Sequence, residues 1–290
     1  MEITGIIAAL TSAASWAFGT VVFERIGRVM PYAGITFMKS LLSLIFMILF
    51  VMIVGNIKTI STHDVIILTI SGIIGIAIGD TLFFKSLQDL GAKVQVLYFM
   101  LGQVVTMLLS FMLLGDVLSV KEYIGAVVLL LGIVIVTWGK QENHPNKIRG
   151  IIGGFISILC FSLSTIMIKY TEEQIDVVSA SFYRMLAGTI IMMVIGTTTH
   201  SIKTWIEPLM SMRIFTLFLI NVFVITVGGF ILSMYAIKNI SVSLASILST
   251  TEPVFVIILA FTINHERISR REILGTIITI VGLLIILQHE

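Results

Sequence analysis

Ten stretches of about twenty apolar residues, parted by short polar joints, constrain this chain more than any other feature of it. They run roughly over 4–23, 33–54, 64–84, 93–114, 121–139, 150–169, 177–196, 214–236, 241–263 and 272–288. A bilayer core about 30 Å thick takes roughly 20 residues of helix to cross. Lipid offers no partner to a bare backbone, so each run closes its hydrogen bonds within itself, and the runs lack the short alternating pattern of a barrel. Only 12% of the residues are charged and 57% are hydrophobic, whereas a soluble domain carries about 25% charge. That excludes an ordinary cytosolic enzyme, a nucleic-acid binder and a disordered chain. The expected class is an all-α integral membrane protein, multi-pass in the cell membrane, with ten transmembrane helices.

The first run reads as a retained span. Met1-Glu2 gives no basic leader segment, and no small-residue cleavage pattern follows. Lys and Arg in the joints set the orientation. With ten spans both termini share one side, which carries Lys58, Lys121, Lys169 and Lys238. The other side carries Arg25, Arg28, Lys85, Lys93, Lys140, Lys147, Arg149, Lys203, Arg213, Arg267, Arg270 and Arg271. The bias predicts both termini outside.

The longest polar joint, near 140–149, splits the chain into similar halves. An offset of 145 lays Gly5-Ile6-Ile7 on Gly150-Ile151-Ile152, Ser12 on Ser157, Trp16 on Phe161, Gly19 on Ser164, and Lys39 on Arg184. After the second run the offset becomes 150: Gly79 meets Gly229, Asp116 meets Glu266, Ser119 meets Ser269, Glu122 meets Glu272, Gly125 meets Gly275 and Gly132 meets Gly282. The predicted organisation is a first five-helix repeat over 1–140, a linker over 141–149 and a second repeat over 150–290. An odd number of spans per repeat inserts the second copy upside down. Inverted repeats are a recurrent plan of secondary transporters, with the site near the midplane where the repeats meet.

Those residues resemble the EamA-type ten-helix transporters of the drug/metabolite transporter superfamily over essentially the whole chain. The resemblance rests on Thr250-Thr251-Glu252-Pro253-Val254, on His265-Glu266-Arg267-Ile268-Ser269, on Gly275 and Gly282, and in the first half on Trp16, Lys39 and Gly115-Asp116 before Ser119. The chain departs from the family pattern at Gly102-Gln103, where a proline is common, and at His265, where a glycine precedes the glutamate. The resemblance implies a carrier of small metabolites, often an exporter. It leaves the substrate open among amino acids, nucleotide sugars, sugar phosphates and drugs.

Four ionisable residues lie inside apolar runs: Lys39, Asp80, Arg184 and Glu252. Each costs at least about 2.5–3.5 kcal/mol at mid-bilayer unless paired or wet. One reading pairs Lys39 with Asp80 and Arg184 with Glu252 around a central cavity. The other lets the two cations reach the headgroups, leaving only the carboxylates buried. Substrate contacts are expected from Trp16, Tyr98, Gln103, Phe161 and Ser249, which accompany small polar residues on one face of their helices. Such Ser and Thr residues also serve as glue between helices. Pro253 removes a helical donor beside Glu252, marking either a hinge or a static kink. Gly72, Gly75 and Gly79 read as close packing. Glu252, with Asp80 second, is the candidate for proton coupling, against a role of neutralising Arg184.

Two function classes follow. The first is a secondary transporter partnered by a small-molecule substrate, the lipid bilayer and protons. The second is an intramembrane enzyme or lipid-modifying scaffold, which should show nucleophile–base pairs or metal-ligand spacing at membrane depth. None of the five histidines (His63, His144, His200, His265, His289) falls within a run, Cys160 stands alone, and no phosphate-cradling glycine loop occurs. The transporter is therefore the favoured reading, non-enzymatic and without cofactor, metal or nucleic acid. Monomer and homodimer are not distinguished.

Overall fold

A computed structural model describes residues 2–54, 60–114, 120–137, 146–168, 170–171, 175, 177–240, 248–249, 251–265 and 268–287. Among the described residues every regular element is helical. The helices are α1 (Glu2–Ile26), α2 (Tyr32–Val54), α3 (Thr62–Leu90), α4 (Ala92–Leu114), α5 (Val120–Thr137), α6 (Lys147–Ile168) and α7 (Val177–Thr198). A short helix (Ile202–Ile206) and a tight turn (Glu207–Met210) lead into α8, which starts at Met212–Phe223 and ends at Leu232–Asn239. The chain closes with α9 (Glu252–Asn264) and α10 (Arg270–Leu287). Seven of these helices are long and apolar enough to cross a membrane; Tyr123–Val136 and Glu252–Asn264 are shorter apolar helices.

The polarity of the packing is that of a protein solvated by lipid. Ile45, Ile48 and Leu49 on α2, Val127, Leu130 and Leu131 on α5, and Leu274 and Ile277 on α10 point outward. The interior meanwhile holds Ser12, Ser40, Ser71, Asp80, Gln95 and Thr279. So large an apolar exterior would aggregate in water, and between lipid-embedded helices small and polar contacts replace the hydrophobic drive. At the core, Phe23 packs edge-on against Phe84 and Phe218, with ring centroids 4.9 and 5.6 Å apart.

Both α3 and α8 widen to π-helix in mid-course, at Ile73–Asp80 and Val224–Ile231. Such bulges shift the side-chain register of a helix and recur at functional sites. Gly75 and Gly79 in the first, and Gly228 and Gly229 in the second, let neighbouring helices press against the widened turns. Gly91, with φ of 80° and ψ of 165°, ends α3 in a positive-φ conformation that is essentially reserved for glycine, and α4 begins at once.

One expectation needs correction. The ninth apolar run, 241–263, predicts one helix interrupted at Pro253 by a hinge or a static kink; 241–247 and 250 lie outside the described residues. Pro253 instead lies in the first turn of α9, which opens at Glu252. A missing N–H costs nothing there, because the first donors of a helix are unpaired anyway. Before it, Thr251 N–H donates to Leu248 C=O at 3.2 Å in a turn. Helix α10 opens with a reciprocal cap: Ser269 N–H donates to Glu272 Oε2 at 2.7 Å, and Glu272 N–H donates to Ser269 Oγ at 3.2 Å.

Candidate functional site

Helices α2, α3, α6 and α7 bring three charges together inside the molecule. Lys39 Nζ donates to Asp80 Oδ2 at 2.7 Å and lies 5.6 Å from the Phe84 ring centroid. This cation therefore turns inward to the carboxylate instead of reaching for headgroups. Arg184 Nη2 donates to Ser164 Oγ at 2.7 Å, and Arg184 also interacts electrostatically with Asp80. Its backbone is pressed against Gly72, where any added Cβ would collide with the Arg184 carbonyl. The Arg184 Nε is buried without a hydrogen-bond partner.

The expected pairing of Arg184 with Glu252 is not formed: among the described residues no ion pair joins them. Glu252 stands in the first turn of α9, on the side the helix dipole makes favourable for negative charge, but no hydrogen bond or ion pair to its carboxylate is formed among the described residues.

Of the expected substrate contacts, Trp16 and Phe161 occupy matching places. A Cβ added to Gly229 would lie 2.9 Å from Trp16 Cε2, and one added to Gly79 would lie 3.0 Å from Phe161 Cε1. Each aromatic thus caps a glycine in a π-helical segment of the other half. Trp16 remains 38% exposed. Tyr98 is buried, its ring edge 3.1 Å from a Cβ built on Gly154. Ser249 is exposed, in the helical pair before the turn into α9. The Gln103 side chain, Ser246, Thr250, Asp116, Ser119, Glu266 and Arg267 lie outside the described residues.

Most of the small polar residues act as glue. Ser12 Oγ donates to Gly229 C=O at 2.6 Å, Ser86 Oγ to Gln95 Oε1 at 2.7 Å, and Thr106 Oγ1 to Ser162 Oγ at 2.9 Å.

The contacts between the halves come in reciprocal pairs. Asn221 Nδ2 donates to Gly19 C=O at 3.2 Å, and Ser71 Oγ donates to Ser164 C=O at 2.7 Å. A Cβ on Gly5 would lie 2.7 Å from Ile240 Cγ2; one on Gly150 would lie 2.7 Å from Leu90 Cγ. Helices α5 and α10 cross antiparallel through four glycines: a Cβ on Gly125 would meet Gly282 O at 2.7 Å, and one on Gly132 would meet Gly275 O at 2.7 Å. Every pair is carried onto its partner by the offsets of 145 and 150.

Sequence reasoning missed a polar belt on the side away from the termini. Glu24 Oε2 accepts from Ala92 N–H at 3.0 Å and from Asn264 Nδ2 at 3.2 Å, tying α1 to the start of α4 and the end of α9. Arg149 grips Asp89 with Nε at 2.8 Å and Nη2 at 2.6 Å, joining α6 to α3. Lys93 meets Glu272 at 3.2 Å. These residues sit at run ends, where charge is ordinary, and no spacing in the sequence links Asp89 to Arg149, Glu24 to Asn264 or Lys93 to Glu272. An open cavity of about 500 Å³ lies on this side, near Pro31, Thr204, Glu207 and Pro208, and none of the expected contact residues lines it.

Long apolar helices, an apolar exterior and charges paired in the interior define a multi-pass helical membrane protein. A family model described as the EamA-like transporter family matches the chain twice, over residues 3–138 and 148–288. The chain belongs to that family, and with it to the drug/metabolite transporter superfamily. It is 25% identical to an uncharacterized transporter of Synechocystis over 78% of its own length and 66% of that protein's. An uncharacterized transporter of Methanothermobacter thermautotrophicus is likewise 25% identical, and the chain again spans 66% of that relative's length. An uncharacterized transporter of Archaeoglobus fulgidus is 23% identical over 97% of both chains. A solved crystal structure at 14% identity superposes with a TM-score of 0.63, covering 98% of this chain and 96% of the other, and shows the same fold.

Proposed function

We propose that the protein is a secondary transporter moving small organic metabolites, amino acids or related compounds, by alternating access. In this reading ten spans form two inverted five-helix repeats, 1–140 and 150–290, joined by the linker 141–149. The observation that carries the reading is the set of reciprocal contacts. Trp16 on Gly229 repeats as Phe161 on Gly79, and the equivalent helices α5 and α10 run antiparallel. A same-sense duplication would leave equivalent helices parallel, so the crossing supports a two-fold axis in the membrane plane. The double family match, one per half, supports the duplication. If the repeats exchange conformations, a shape open to one side becomes the same shape open to the other.

Trp16, Tyr98, Gln103, Phe161 and Ser249 are assigned to substrate contact. Export is the direction the reading favours, and the basic residues of the joints support both termini outside. Protons drive the cycle in this scheme. A carboxylate beside a cation switches between paired and protonated states, so substrate competing for the cation promotes proton uptake. Asp80, beside Lys39, fits that switch; at Glu252, which has no ion-pair partner among the described residues, desolvation alone would carry it, with Pro253 in the same first turn of α9 as the hinge candidate. A proteoliposome uptake screen with and without a pH gradient tests the function: gradient-stimulated, saturable uptake is expected for at least one metabolite. Uptake no faster than in protein-free vesicles across the screen refutes it. A cysteine placed at Gln288 tests orientation; protection from impermeant reagent in intact cells overturns it.

A further inference from the structure

The two halves duplicate a cation but not its counterion. Lys39 and Arg184 occupy equivalent positions at the offset of 145, while the position equivalent to Asp80, at the offset of 150, is Phe230. The described charges at this cluster are therefore two cations and one carboxylate. Asp80 is committed to Lys39 at 2.7 Å. The hydrogen bond of Arg184 goes to a neutral hydroxyl, leaving Asp80 to act on it only through space, and Ser164 Oγ already donates onward to Ser71 C=O at 2.9 Å. A guanidinium has five donors in a planar fork, and here Nε is buried with no partner.

Snorkelling does not relieve this. Gly72 and Gly75 bring α3 against the Arg184 carbonyl and guanidinium, so the side chain is held between α3, α6 and α7. A half-buried cation whose Nε is enclosed without an acceptor is unfavourable unless something completes it. Beside it, the Lys39 and Asp80 side chains keep 20% and 11% of their surface exposed.

We propose that this cluster is an anion-recognition site. The transported solute carries an oxyanion, a carboxylate or a phosphate, that docks on the fork of Arg184 and shares the field of Lys39. A planar oxyanion would take two parallel N–H bonds, including the one Nε now lacks, and would balance the second cation that Asp80 leaves over. The proposal rests on the reading of the chain as a secondary transporter and adds the charge class of its substrate.

The test uses the full-length protein in nanodiscs, with a fixed panel of probes: glutarate, L-alanine and glycerol 3-phosphate against glycerol and putrescine. Thermal stabilisation and proteoliposome uptake are read for each. The expected result is saturable stabilisation by at least one oxyanion-bearing probe and by neither control. Affinity should fall about tenfold or more in Arg184→Lys, which keeps the charge and loses the fork. Arg184→Gln should abolish binding. Should it fail to fold, the Arg184→Lys titration and competition by inorganic phosphate in wild type decide the matter. Stabilisation by glycerol or putrescine alone, oxyanion binding unchanged in Arg184→Lys, or no stabilisation by any oxyanion each overturns the proposal. If instead no probe, charged or neutral, is carried while an oxyanion still binds, the transport reading fails and the site stands. Anionic-lipid nanodiscs are compared with neutral ones; stabilisation that appears only with the anionic lipid assigns the fork to a headgroup and refutes a solute site.

Discussion

Removing Asp80 should cost more than removing Lys39, and the reason lies in the sharing of one carboxylate. At 2.7 Å and an effective dielectric of about 20, two unit charges attract by about 6 kcal/mol. Desolvation cancels much of that, and breaking a buried pair by deleting one partner typically costs about 3–5 kcal/mol. Here Lys39 keeps 20% of its side-chain surface and a place over the Phe84 ring, so the lower end applies. In addition, a chain unfolded within lipid finds other partners. Lys39→Met is therefore expected to destabilise by about 2 kcal/mol, because Asp80 keeps the field of Arg184. Asp80→Asn is expected to destabilise by about 3 kcal/mol, because it strands both cations. The double variant should fall short of the sum by about 1–2 kcal/mol. Reversible unfolding in mixed micelles supplies all four corners of the cycle. Additive losses, or a Lys39 variant costlier than the Asp80 variant, would refute the shared-carboxylate account.

Further outcomes follow from other sites. His265 caps α9 with φ of 57°, where a side chain costs about 1–2 kcal/mol relative to glycine, so His265→Gly should stabilise the protein measurably in the same assay. Glu272→Ala removes half of the α10 cap and the Lys93 contact and should lose about 1–2 kcal/mol, whereas Glu272→Gln retains most of the cap. Glu252→Gln should keep substrate binding while abolishing gradient-driven accumulation in proteoliposomes; accumulation unchanged in a well-folded variant sinks the coupling role.

The helical membrane class and the likeness of the two halves were legible because both are carried by period and offset. Apolar runs of helical length leave the backbone no alternative in lipid, and matched rare residues such as Lys39 and Arg184 survive comparison of two apolar halves. The Lys39–Asp80 contact was one of the two outcomes the sequence left open, since two opposite charges inside apolar runs must find each other or leave, and the structure takes the first. The second pairing failed for a physical reason. Glu252 lies in the first turn of α9, out of ion-pair reach of Arg184, and nothing in the run 241–263 says where a helix begins beyond Pro253 itself. The π-helical segments were invisible, because a single extra residue per turn leaves no mark in apolar periodicity. His265 is the reverse case: seen only as a departure from a glycine pattern, it proves to occupy the left-handed turn that pattern serves.

In the alternating-access cycle proposed above, the repeats exchange between two shapes, and residues that break the symmetry between the halves would set the bias between them. The belt opposite the termini breaks it. Arg149 and Asp89 clamp α6 to α3 there, and at the offsets of 145 and 150 their equivalents are Thr4 and Asn239, neither of which carries a charge. One seam is therefore held by a two-pronged ion pair and its image is not. Asp89 is 6% exposed, so the carboxylate depends on this partner, while the exposed guanidinium is readily solvated when released. Asp89→Asn, which makes the belt match its image, should move the resting population toward opening on the side away from the termini. A cysteine at Leu90, packed against Gly150 in this seam and placed in a Cys160→Ser background, reports the shift. Its labelling by a water-soluble maleimide should rise in Asp89→Asn and fall back when substrate favours the closed seam. Labelling that stays at the wild-type rate in Asp89→Asn would mean that the glycine contacts alone hold this side shut.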